Sequence, residues 1–373
     1  MVTIILTSWT AFRHAFYETF LHIHIALVSL ILAALYIHLE QYAPNQHTWI
    51  KVVISIWVIE VFSPESLVHH HHTYPHQRLL RLISLIYRNI GRKGTQAQVE
   101  ALPGDALRIT LLLARPWTFK PGQHIFLTIP SVGLWTSHPF SVAWSEAHPQ
   151  NPHHLDPEKG YTDSTPQTID TLALPQTSIS LVVRRHGGFT DRLYTKTLSS
   201  SGLVALSALV EGPYGGTQTL HSYGTVMLFA GGIGITHLIP FVRDLVASYT
   251  SSTSAVRRVL LIWVIQSPEH LEWIKPWMTT ILAMPKRRDV LRIQLFVTRP
   301  RSTKEIHSPS STVQMFPGKP NVDALVEMES REQIGAMGVS VCGPGGLGDD
   351  VRAAVRRRQG VRNIDFLEER FGW

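Results

Sequence analysis

The sequence predicts a multidomain chain: a partial membrane helix bundle, then an antiparallel β-barrel, then an α/β half with a parallel sheet. Three observations carry this reading. The 373 residues are enough for about two or three domains. Phe20–Leu39 contains no Lys, Arg, Asp or Glu and has the length that crosses a hydrocarbon core of ~30 Å. From Gln98 onward, short strand-like runs broken by turns give way after Gly215 to alternating strands and helices. The expected boundaries are 1–62 for the membrane part, 63–97 for a linker, 98–222 for the barrel and 223–373 for the α/β half.

Charge and cysteine content narrow the function. The net charge is +7, yet no basic block is interleaved with aromatics, so nucleic acid is not an expected partner. The basic residues instead flank apolar segments. Arg13 precedes the first, and Arg78, Arg81, Arg88, Arg92 and Lys93 follow a second, shorter one at Trp49–Phe62. Both flanks then read as cytoplasmic, with Glu40–His47 as a short outer loop and membrane lipid as a partner. Val2–Leu6 lacks a basic flank and a cleavage site, and reads as the tail of a preceding span rather than a signal peptide. Cys342 is the single cysteine, which excludes a disulfide framework and a Cys-ligated zinc.

Histidines mark the first apolar segment. His24 and His38 lie fourteen residues apart, roughly four turns, so they share one helix face ~21 Å apart. His22 falls roughly 160° from His38, on the other face. Two imidazoles on one face, one toward each leaflet, suit axial ligation of two stacked hemes. The alternative is polar residues facing a bundle interior. Each iron needs a second ligand, and the chain holds no second such pair, so its heme sites are expected to be incomplete. Ser63–His76 is a composition break in which His69–His72 reads as exposed linker. Leu79–Ile90 is apolar and basic and is expected to form a short helix on the membrane surface.

In the barrel, Ala106–Leu113, His124–Pro130 and Ile179–Arg184 read as strands, and Phe119–Gln123 as a turn. Ala147–Gln176 reads as a polar surface insertion. His138–Pro139–Phe140–Ser141 offers an aromatic ring that can stack on a flavin and a hydroxyl that can reach its reactive nitrogen. Gly187–Gly188–Phe189–Thr190 can lay backbone N–H groups against a pyrophosphate, with Arg184 supplying charge. Either tetrad alone matches an ordinary strand end or turn. Their order and spacing together point to FAD.

In the α/β half, strand Val226–Ala230 enters Gly231–Gly232–Ile233–Gly234, and a helix follows at Thr236–Tyr249. Glycines let backbone approach a phosphate, and a helix N-terminus favours its charge. The spacing is not G-x-G-x-x-G. Strands at Arg258–Ile265, Leu291–Val297 and Val339–Cys342 and helices at Leu271–Met284 and Leu347–Gln359 complete the pattern, with Arg299–Pro320 as an insertion. Ligands bind such sheets at the strands' carboxyl ends, where Gly231, Gly232, Gly234, Ile235 and Thr236 fall together with Cys342, Gly343 and Pro344. A nicotinamide nucleotide is the expected ligand. Cys342 is either a small core residue or a contact that sets nicotinamide geometry; without a partner cysteine it has no redox role.

These residues together resemble the ferric reductase and NADPH oxidase superfamily, nearest its fungal-type ferric-chelate reductases. The likeness runs from Arg13 to Trp373. Phe16–Tyr17–Glu18 with His24 and His38 resembles the start of a heme-bearing helix. Phe119–His124 and His138–Ser141 are similar to the flavin-domain signatures, and Gly231–Thr236 and Cys342–Pro344 to the two NADPH motifs. Glu368–Trp373 is similar to the acidic-aromatic C-terminus. The resemblance implies a ferredoxin-reductase-like fold, with Phe140 on the flavin, Ser141 near its reactive nitrogen and Trp373 beside it. It implies Ser141, Cys342 and Trp373 as catalytic residues. It also implies NADPH, FAD and heme as cofactors, ferric chelates outside the cell as acceptors, and a plasma-membrane location with cytoplasmic flavin and nucleotide domains. Three departures stand out. An earlier helix with a histidine pair is lacking, which suggests truncation. Val58–His76 does not match the family's junction. Gln266 occupies the place of an Arg suited to a 2′-phosphate, which weakens the expectation of NADPH over NADH. A superoxide-generating oxidase and an inactive truncated product are the rival readings.

Overall fold

Alternating apolar positions build the antiparallel half. The computed structural model describes residues 17–42, 46–61, 83–91, 94–133, 136–148, 176–300, 308 and 310–369. Eight strands form two sheets: β1 (Gln96–Leu102), β2 (Ala106–Leu112), β3 (Gln123–Thr128), β4 (His138–Ser141), β5 (Trp144–His148), β6 (Gln176–Arg184), β7 (Leu203–Ser207) and β8 (Leu209–Gly215). Their orders are β5-β6-β2-β1-β7 and β4-β3-β8, and every pairing is antiparallel. Val99, Ile109, Ile125, Leu127 and Leu181 point into one core shared by both sheets. The period of two puts these residues inside and their neighbours outside. The barrel is thus two sheets over a single core.

In the second half, β9 (Thr225–Gly231), β10 (Arg258–Ile265), β11 (Leu291–Val297), β12 (Val313–Pro317), β13 (Met337–Cys342) and β14 (Ile364–Glu369) form one parallel sheet. Its order is β12-β11-β10-β9-β13-β14. Every residue of β9 is buried, as expected for a central strand covered on both faces. Helix α5 (Ile235–Ser251) packs on one face through Leu238, Val242 and Leu245. Helices α8 (Val322–Arg331) and α9 (Gly345–Gln359) pack on the other through Val326, Val351 and Val355.

At the N-terminal end, α1 (Tyr17–Tyr42) and α2 (His47–Val61) lie side by side, with the Tyr36 and His47 rings 4.5 Å apart. Ile23–Tyr42 is long and apolar enough to cross a membrane. α2, at fifteen residues, is shorter. A third helix, α3 (83–89), precedes β1.

Several element bounds differ from expectation. α1 runs on to Tyr42, so the segment between the two helices is shorter than the Glu40–His47 expected as an outer loop. The helix expected at Leu271–Met284 is a 3-10 turn, Pro268–Trp273, followed by α6 (Lys275–Leu282), because Pro276 starts a new helix rather than continuing one. The insertion at Arg299–Pro320 contributes an edge strand, β12. α4 (Phe189–Ser199), α8 and β14 add to the expected elements; α4 and α8 are short, so each shows few turns of the helical pattern. Val2–Leu6, Arg13, the stretch 63–76, the interior of the Ala147–Gln176 insertion and Trp373 lie outside the described residues.

Candidate active site

The flavin-type motifs meet although about fifty residues separate them. β4 pairs with β3 in the register His124↔Ser141, Ile125↔Phe140, Leu127↔His138. α4 starts at Phe189, where the chain turns through Gly188 with φ 78°, a conformation glycine adopts without strain. The His138 ring stacks on Phe189 at 4.5 Å, and Phe140 lies 6.5 Å from the same ring. A side chain at Gly187 would enter open space. The first turn of α4 has no side-chain cap, so its N–H groups and positive dipole end can serve an anion. Thr190 Oγ1 accepts from the His186 N–H at 2.9 Å and donates to the His186 carbonyl at 3.1 Å, which ties the loop to the helix. Arg185 is held by Asp191 at 2.6 Å. Arg184 lies near His270 of the nucleotide half; burial, and then the Arg184 charge, keep that imidazole below its usual range. Pro139 and buried Ser141 alternate with His138 and Phe140 and share the opposite face of β4.

The nucleotide-type motifs also meet, and their glycines have unequal roles. β9 ends at Gly231, a single turn spans Gly232–Gly234, and α5 begins at Ile235. A Cβ at Gly231 would sit 2.5 Å from Pro344 Cδ, and one at Gly234 would sit 2.1 Å from the Cys342 carbonyl oxygen. A Cβ at Gly343 would meet Gly231 Cα at 2.8 Å. These three glycines let the two loops touch. Gly232 is different: its φ is 53° and a Cβ there would meet nothing. Its carbonyl accepts from Trp263 Nε1–H at 2.9 Å, and Thr236 Oγ1 donates to the Ile233 carbonyl at 2.9 Å. α9 starts just after Pro344, so two uncapped helix N-termini converge on this edge of the sheet.

Cys342 is fully buried at the end of β13. Burial, and then the charge of Glu369, push its thiol far above the usual range, so it stays protonated. Glu369 is its partner in the β13–β14 register, and burial also raises that carboxyl. The sequence motif included Glu369 but gave it no role. Arg299 was missed as well. Its backbone N–H bonds the Gln266 carbonyl at 3.0 Å, which sets it beside Gln266 at the carboxyl ends of β10 and β11. It is exposed and has no ion pair among the described residues. Only the parallel register of the two strands brings these residues together.

The two halves are clasped. Trp273 Nε1–H donates to the Pro103 carbonyl at 2.7 Å, and Arg108 donates to the Glu272 carbonyl at 2.9 Å. Arg243 donates to the Ser145 carbonyl at 3.0 Å and lies over the Trp144 ring, which stacks on Trp277 at 5.9 Å. On α5, buried His237 and Phe241 press on the Gly122 turn. Burial, and then His124, lower the His237 imidazole to about 4.

His24 and His38 are both on α1, and the His38 ring lies 4.9 Å from Tyr42. Nothing is described of the His22 side chain. No group of three or more His, Cys, Asp or Glu that could hold a metal gathers among the described residues.

Comparison with known proteins follows the same division. Residues 223–356 match the ferric reductase NAD binding domain and 92–163 an FAD-binding domain. A probable cell surface ferric reductase, kap2 of Aspergillus oryzae, is 27% identical over 277 residues, 74% of this chain and 32% of that protein. Ferric/cupric reductase transmembrane component 2 of Saccharomyces cerevisiae is 23% identical over 410 residues, 100% of this chain and 49% of that protein. The chain spans half or less of the length of these relatives. Among solved structures, the Amycolatopsis cytochrome P450 reductase GcoB aligns with a TM-score of 0.46 at 22% identity, over 74% of this chain and 71% of that one.

Proposed function

We propose that this chain, which belongs with the ferric reductases through its FAD-binding and ferric reductase NAD binding domains, is the electron-input part of a membrane ferric-chelate reductase. The observation that carries the proposal is the meeting of both motif pairs in two clasped halves. The working units are 98–222 for FAD and 223–373 for the nucleotide, joined through 63–97 to a membrane region at 1–62. When bound, FAD would supply the chemistry that couples hydride donation by NADPH to the export of single electrons. The chain's residues bind and orient. The N-terminus of α4, with Gly187, Gly188 and Thr190, holds the pyrophosphate, with Arg184 adding charge from the side of the nucleotide half. Phe140, flanked by His138 and Pro139, carries the flavin ring, and Ser141 bonds its edge. Gly232 admits the nucleotide phosphates to the start of α5, against the packed floor of Gly231, Gly234, Ile235, Thr236, Cys342, Gly343 and Pro344. Glu369, whose carboxyl burial pushes above its ordinary range, stands beside neutral Cys342 at the reacting edge. Arg299 supplies the cation that Gln266 lacks for a 2′-phosphate.

The membrane reading rests on α1, on the basic flanks and on the names of the relatives. In it, His24 and His38 would each offer one imidazole to a heme from one helix face, and each heme would take a second ligand from another helix. Electrons then reach ferric chelates across the plasma membrane, with the flavin and nucleotide halves in the cytoplasm.

The decisive measurement is stopped-flow absorbance of the full chain loaded with FAD. NADPH should bleach the flavin band, and a ferric chelate should restore it. Protein that stays colourless with FAD, or whose flavin NADPH does not reduce, would overturn the proposal. Arg299→Ala should raise KM for NADPH about tenfold, or about 1.4 kcal/mol, and leave NADH unchanged. Equal losses with both nucleotides would remove Arg299 from this role.

A further inference from the structure

α3 presents an exposed apolar stripe. Ile83, Ile86, Tyr87 and Ile90 follow the three-four spacing of one helix face, and their exposures are 52%, 49%, 59% and 63%. The other face is latched to the barrel. Buried Asn89 exchanges two 2.8 Å hydrogen bonds with the Val210 backbone, and Arg88 donates to the Gly212 carbonyl at 2.9 Å. Arg115 donates to the Tyr87 carbonyl at 2.8 Å and lies over the Tyr87 ring, while Arg88 lies over Trp117 at 4.5 Å. The stripe is therefore held at a fixed angle to the flavin half.

We propose that this stripe docks on the anionic cytoplasmic leaflet of the membrane and so holds the flavin half directly against the bilayer. The proposal rests on the membrane reading above. Charge complementarity selects lipid as the occupant. Arg78 and Arg81 precede the helix, Arg92 and Lys93 follow it, and Arg88 and Arg115 border the stripe. Aliphatic side chains flanked by guanidinium groups and by Tyr87 and Trp117 match the layered chemistry of an interface: acyl chains below, phosphates and headgroups above. Position along the chain agrees, because α3 stands between the membrane-length helix and the first barrel strand. The flavin half then does not swing on a tether. Its distance from the membrane is set by two hydrogen-bonded latches.

The test uses the full FAD-loaded chain in vesicles of phosphatidylcholine and phosphatidylserine. Ile86→Cys and Ile90→Cys each receive a nitroxide, and exposed Val361→Cys in the nucleotide half is the aqueous control. Cys342 is buried, so the parent chain reports the background labelling. Relaxation by oxygen should exceed relaxation by a water-soluble nickel complex at 86 and 90, and the order should reverse at 361. Nickel-accessible labels at 86 and 90 on protein that still floats with the vesicles would overturn the docking while leaving the membrane reading intact. Labels shielded from both reagents would show a protein surface there and also overturn it. Protein that fails to float would overturn the membrane reading itself.

Discussion

Phe140 and His237 show how much a single side chain can decide. Phe140 is only partly covered by the barrel core and lies 6.5 Å from Phe189. Phe140→Ala should weaken FAD binding by about 1–3 kcal/mol through lost stacking and burial. Titration of the variant with FAD checks this, and unchanged affinity would exclude Phe140 as the platform. His237 makes a pH prediction. Its buried imidazole takes no proton until the pH falls to about 4, whereas the unfolded chain takes one near 6.5. Between those values the unfolded state binds more protons. Stability is therefore fully present above pH 6.5 and declines as the pH falls toward 4, by up to about 3 kcal/mol from this group. Urea midpoints measured across that window should fall in the parent and fall less in His237→Leu. Parallel curves would mean that His237 is not the source.

At the scale of elements, the glycine loop separates into packing positions and one open position, Gly232, to which the proposal assigns the nucleotide phosphates. Gly234→Ala forces a methyl group to 2.1 Å from the Cys342 carbonyl, and the backbone on both sides must move. Gly232→Ala meets no atom and carries only the strain of φ 53°, on the order of 1 kcal/mol. Gly234→Ala should thus lower the melting temperature markedly. Gly232→Ala should melt near the parent, keep its flavin, and lose rapid reduction by NADPH. Calorimetry and stopped-flow traces on the two variants separate these outcomes, and the reverse pattern would refute the division. Elsewhere in the sheet, β11 and β10 bring Arg299 beside Gln266, so the nucleotide preference proposed for this pair would come from strand register rather than from one motif.

For the whole molecule, the interface between the halves is the functional element. Trp273 is fully buried and its indole N–H is spent on the Pro103 carbonyl across the interface. Trp273→Leu removes ring volume and that bond, and should cost about 3 kcal/mol. Each half should still bind its own ligand, since no ligand motif touches Trp273. Flavin reduction by NADPH should slow, because the transfer distance is no longer fixed. A variant that reduces its flavin at the parent rate would show that the clasp does not set this geometry. His270 stacks on Trp273 at 4.1 Å and would meet any side chain at Gly104 2.7 Å away, so this contact leaves little room to slide.

Much of this architecture is legible in one dimension because it depends on local rules. A membrane-length run without charge, alternation with period two and glycines between a strand and a helix are all set within a few residues. These features marked α1, the barrel strands, the parallel sheet and the motifs at His138–Ser141, Gly187–Thr190 and Gly231–Gly234. What escaped depends on contacts between distant segments. β14 and α8 acquire their places from neighbours in the sheet, not from their own patterns. The packing role of Gly231, Gly234 and Gly343 is visible only once the two loops lie on each other. Arg299, Glu369 and the Trp273 clasp carry no local signal, because their meaning comes from what lies across a strand pair or an interface. The sequence determined which segments could hold a flavin and a nucleotide. Tertiary packing decided how those segments meet, since close approach of backbones and burial of charge exist only once the chain has folded.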